Sequence, residues 1–148
     1  MSKCLETIIE DDITYGIIIR SNYTAPSIQF FTPQHFSQQL GYMNRKSGYE
    51  VKPHKHLLIN RDIQLTQEVL FVKSGHIRVN FFNDASYLPF TSTELFAGDI
   101  ILLANGGHGV DFLTDSEVVE VKQGPYMGIE DKVFIEPPLV EYQNQLHQ

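Results

Sequence analysis

Apolar and polar positions alternate with a period of two through most of this chain, the pattern of half-buried strands. The run "ITYGIIIRS", residues 13–21, is strongly β-forming. In "TQEVLFVKSGHIRVNFF", Glu68, Leu70 and Val72 share one parity, and Ile77, Val79 and Phe81 share one after the turn. That predicts two core-facing strands paired as a hairpin around "KSGH". "LFAGDIILLANGGHGVDFL" predicts a further strand pair closed by the glycine-rich "NGGHG". "SEVVEVKQG" adds one strand, with Val119 and Val121 on its inner face and Glu120 and Lys122 outside. "LGYMNRKSGYEVKPHKH" reads as a strand, a turn around residues 46–48, and a second strand. One short helix is predicted in "TPQHFSQQL", residues 32–40, with Thr32 as N-cap and Pro33 at the first helical position. Many short strands separated by turn signals predict an all-β sandwich or small barrel.

The chain of 148 residues suits one domain, residues 1–148, with a core of its own. The pattern weakens beyond "QGPYMG". Residues 124–148 therefore read as a tail that packs on the body, crosses to a partner or is loose. A formal net charge of −7 with scattered basic residues argues against nucleic acid and against an anionic membrane surface as partners. Cys4 is the only cysteine, so an internal disulfide and a cysteine-based zinc site are both excluded. The N-terminal "MSKCLETIIEDD" turns acidic where a signal peptide would be apolar, and the expectation is a cytoplasmic protein.

Candidate chemistry lies in "GYEVKPHKH", residues 48–56. On a strand His54 and His56 face the same way, roughly 6–7 Å apart, so two imidazoles can converge on one ion. Two histidines plus a carboxylate, with positions left open, form a known arrangement for a catalytic divalent metal. Glu68 is the natural carboxylate, because it lines up with Leu70 and Val72, and burying a lone carboxylate is costly. His108 shares parity with Val110 and Phe112 and is expected to face inward as well. The alternative is that each of the four finds its own hydrogen-bond partner in a polar spot. Lys52 complicates the strand, since it shares the parity of His54 and His56.

These residues resemble the cupin superfamily. Its first motif runs Gly, five residues, His-x-His, three or four residues, Glu, six residues, Gly. Gly48, His54-x-His56, Glu68 and Gly75 match both ends of that spacing, but eleven residues separate His56 from Glu68. The second motif is matched in part: "GDIILLANGGHGVDF" opens at Gly98 and reaches His108 one residue early, with Ala104 in place of the proline and Phe112 in place of the asparagine. The resemblance covers about residues 40–123.

It implies a double-stranded β-helix, or jelly-roll sandwich, often dimeric. His54, His56, Glu68 and His108 correspond to the metal ligands, and the ion would be Fe, Mn, Ni or Zn. Glu68 would be a ligand, or a general base if it stays unligated. The implied activity is isomerisation, epimerisation or dioxygenation of a small sugar-like or organic-acid substrate. The alternatives are a ligand-binding or regulatory cupin without catalysis, and metal-free sugar-nucleotide isomerase chemistry with His54 or His56 as base, which needs a histidine held by a carboxylate, a pairing the sequence does not show. Tyr42, Lys52 and Gln123 are candidate substrate-binding residues, with Arg45 also at the mouth, while His35, His76 and His147 read as surface residues.

Overall fold

The structure, a computed structural model, describes residues 4–136. Ten strands and one short 3-10 turn, Gly128–Asp131, account for its regular elements. β1 (Leu5–Glu10) and β2 (Ile13–Ile19) form a hairpin whose turn residues Asp11 and Asp12 have φ of 50° and 60°. Aspartate tolerates that left-handed geometry, which matches the twist of the flanking strands. β3 (Ile28–Phe30) and β4 (Gly41–Met43) make a small sheet of their own. The body follows: β5 (Glu68–Ser74), β6 (His76–Phe82), β7 (Pro89–Phe96), β8 (Ile100–Leu103), β9 (Gly107–Phe112) and β10 (Glu117–Lys122).

All pairing is antiparallel. A five-stranded sheet has the order β1-β2-β8-β5-β10 and a three-stranded sheet the order β7-β6-β9. The two sheets share one core. Tyr15, Ile18, Leu70, Val72, Ile101 and Leu103 come from the first; Ile77, Val79, Phe81 and Leu95 come from the second. β2 lies between β1 and β8, and its run from Gly16 to Ile19 is buried throughout, which explains a continuous apolar stretch in place of alternation. The fold is thus all-β, with three antiparallel sheets and no closed barrel among the described residues.

Five local expectations change. β5 and β6 meet at Gly75 but enter different sheets, so "KSGH" is a corner between layers and not a hairpin. Gly75 has φ of 88°, and a Cβ there would collide with Ser116 and the Asp115 carbonyl. Its need for glycine is therefore both conformational and steric. β8 and β9 likewise part into different sheets. On β10 the faces are reversed: Val118 packs against the core, Lys122 lies opposite Glu68, and Val119 and Val121 are exposed. A register shift between Glu117 and Val118 sets this face, and the VV pair alone does not reveal it.

Residues 32–40 form turns and no helix. Thr32 Oγ1 receives the Leu40 N–H, a return bond that closes a loop, where an N-cap would receive a bond from the next helical turn. The Gln38 N–H is drawn instead to the side-chain oxygen of Gln67, and Gln39 Nε2 donates to the Pro33 and Phe36 carbonyls. The expected second strand over residues 49–56 is absent, and no strand lies between Met43 and Glu68. Within the tail, residues 137–148, including His147, lie outside the described residues.

Candidate functional site

Glu68 opens β5 on the core-facing side, below Leu70 and Val72, with Leu103 and Lys122 as its cross-strand neighbours. His108 stands on β9 opposite Phe81 of β6. The two residues therefore belong to facing sheets, and they meet where the core gives way to solvent. His108 Nε2–H donates to Glu68 Oε2 at 3.2 Å, with 31% and 20% of the respective side chains exposed. The hydrogen bond from His108 holds the Glu68 carboxyl below its usual range, against the opposing effect of burial. The charges of His108, Lys122 and Lys132 act in the same downward direction.

Lys122 Nζ lies 3.7 Å from Glu68 Oε1 and 3.1 Å from Glu120 Oε1. Its pKa is raised, first by the hydrogen bond to Glu120 and then by the nearby negative charges. Lys122 is thus a member of the cluster that the sequence did not reveal. Its cross-strand register with Glu68 is the missing signal, and parity on its own strand does not contain it.

His54 and His56 stand apart from this cluster, on the exposed segment before β5. Their rings sit edge to face with centroids 5.4 Å apart. His54 Nδ1–H donates to the Lys52 carbonyl at 2.8 Å, so Nε2 keeps its lone pair. Among the described residues no group of three or more His, Cys, Asp or Glu side chains comes together.

Glu68 and His108 are of the donor types that bind divalent metals, and their 3.2 Å contact is a hydrogen bond with the Nε2 proton between them. In number they supply two of the four residues that the resemblance implies.

The three expected substrate contacts are placed separately. Tyr42 is half-buried on β4, edge-on to Tyr23 at 5.1 Å, a packing position. Lys52 is exposed on the same segment as His54. Gln123 is a clamp: its Oε1 accepts the Gln67 N–H at 2.6 Å and its Nε2 donates to Ser37 Oγ at 2.7 Å. His76, which reads as a surface residue, stacks on Phe96 at 4.2 Å and donates to Glu94 at 2.9 Å.

No helix among the described residues is long and apolar enough to cross a membrane. Comparison with family models, with curated proteins and with solved structures gives no match.

Proposed function

We propose that this chain is a small cupin-type protein that binds a divalent metal in a His/Glu-lined pocket and acts on a small sugar-like or organic-acid molecule. The observation that carries this reading is the Glu68–His108 pair, two residues of metal-ligand type brought from facing sheets into hydrogen-bond contact at the mouth of the core. His54 and His56 would complete the donor set. His54 already donates its other ring N–H to a backbone carbonyl, the outer-shell bond that fixes a ligating histidine's tautomer.

The strand order supports the jelly-roll part of the reading. β6 pairs with β7 and β5 with β8, a nested arrangement split between two layers. β9 and β10 each end their sheet. Open edges and exposed Phe71, Val119 and Val121 also favour a homodimer, since such surfaces need cover.

A bound metal would supply Lewis-acid polarisation of a substrate oxygen, or dioxygen chemistry if it were iron. The chain's own part is to hold charge and protons. Glu68, whose carboxyl is held below its usual range by the His108 hydrogen bond, keeps negative charge at the mouth, and Lys122 offers a donor to an anionic or hydroxylated ligand beside it.

A second reading uses the same pair without metal. With Nε2–H pointed at Glu68, neutral His108 leaves Nδ1 as a base, oriented by a carboxylate. Elemental mass analysis of wild type, of His54→Ala/His56→Ala and of Glu68→Gln/His108→Ala separates the two. Near-stoichiometric metal in wild type that is lost in both double variants supports the metal centre. Wild type that stays metal-free after reconstitution rejects it and leaves the acid–base reading.

A further inference from the structure

We infer that the molecule carries a second binding site, separate from Glu68 and His108, for a neutral polyhydroxylated ligand such as a hexose, in the groove between the 33–39 turn and residues 61–65. The groove has two lobes of about 410 and 620 Å³ that share His35, Phe36, Ser37, Asp62 and Ile63. Both fall in the size range of small-molecule pockets. Neither lobe is lined by Glu68 or His108.

The floor of the first lobe is Gln67, which is only 3% exposed. Its backbone N–H donates to Gln123, and its carbonyl accepts from Gln38 Nε2. Its side-chain oxygen accepts from both Ser37 Oγ and the Gln38 backbone N–H. A backbone N–H can only donate, so this contact fixes which end of the amide is oxygen. The NH₂ group is therefore the end left over, and it has no hydrogen-bond partner among the described residues. Gln67 is thus held by four hydrogen bonds, and its NH₂ group is not among the buried unpaired atoms: it reaches solvent, where a ligand can meet it in place of water. Neighbouring residues of an extended chain project to opposite sides, so Gln67 and Glu68 serve opposite sides of the same backbone.

The remaining lining selects the ligand class. Gln64 Nε2 donates to Asp62 Oδ2, which aligns that carboxylate and leaves its second oxygen free to accept. Phe36, half-buried and edge-on to His35 at 5.1 Å, offers an apolar wall beside Ile63. Arg61 and Asp62 cancel in charge, so the groove does not call for an anion. Amide donors, one free carboxylate oxygen and an aromatic wall suit a ring bearing hydroxyls on its rim and C–H groups on its face.

The test is an NMR titration of the full chain, following side-chain amide and backbone signals, with D-glucose, D-galactose and N-acetyl-D-glucosamine as probes and inorganic phosphate as the anionic control. At least one saccharide should shift the Gln67 side-chain amide and residues 35–37 and 62–64. Gln67→Glu keeps the acceptor oxygen and removes the NH₂ donors, and should weaken binding about three- to tenfold. Asp62→Ala, an exposed change that leaves the fold intact, should do the same. Both variants should keep the metal content of wild type, and Glu68→Gln/His108→Ala should keep saccharide affinity. The inference is overturned if no saccharide shifts these signals, if phosphate shifts them equally, or if saccharide affinity follows Glu68 and His108 instead.

Discussion

Glu68 and His108 are forty positions apart in sequence and share a hydrogen bond, whereas His54 and His56 are neighbours that share none with either. The first pair is placed by ladders: β5 is paired on both sides, and β9 is locked to β6 over six residue pairs. The second pair is placed by a segment with no ladder at all. What differs is the source of positional precision. In the body, one register choice fixes every side chain on a face. In the segment before β5, a side chain has only its local backbone, as when His54 turns to the Lys52 carbonyl.

The sharpest way to expose this contrast is to remove bulk from each region. Phe81 is fully buried between the sheets, whereas Leu58 is fully exposed. Phe81→Ala should cost about 3–5 kcal/mol in denaturant unfolding, and Leu58→Ala should stay within about 0.5 kcal/mol. Equal costs would mean that residues 49–66 are packed as tightly as the body in solution.

Next in size is the anchor at the far end of β8. Asp99 is nearly fully buried and receives the Ser21 and Phe96 N–H groups and an Arg20 N–H at 3.0 Å. Asp99→Ala leaves those donors unpaired and should cost about 2–4 kcal/mol, read from the thermal midpoint. A loss below about 1 kcal/mol would show that β2 and β8 hold their register without it.

A smaller effect separates the pairs by pH. The folded Glu68 carboxyl sits below its usual value because His108 donates to it. Its contribution is therefore present above the unfolded-state value of about 4.3 and is lost as pH falls through the lower folded value. Glu68→Gln should lower stability near neutral pH, and its difference from wild type should shrink in strong acid. A difference that does not change with pH would remove the charge from the account. Smallest of all, His54→Ala/His56→Ala should leave unfolding within about 0.5 kcal/mol of wild type.

The same contrast explains what the sequence makes legible. Parity identifies Leu70, Val72, Ile77, Val79 and Phe81 as core, and all five are buried. Parity also puts Glu68 on the core side, where it meets His108. It says nothing about which strand pairs with which, so two corners between layers read as hairpins. Nor does it show a register shift, which is why Lys122 reads as outward-facing although it stands beside Glu68. The predicted helix at residues 32–40 had good local signals, but long-range amide bonds from Gln67 decided the backbone there. Gln67 itself escapes notice because a glutamine at a strand entrance carries no pattern. Only the convergence of Ser37, Gln38 and Gln123 on it makes it a hub.

The pairing of β2 with β8 and of β5 with β10 also governs how the chain can reach this structure. Each of those ladders closes a loop across much of the body, and such non-local pairing places a domain among slow folders, in milliseconds to seconds. A nascent chain that has not yet emitted residues 117–122 presents β5 as an unprotected edge, with Phe71 beside it. Its exposure to self-association is therefore greatest just before synthesis of the body is complete.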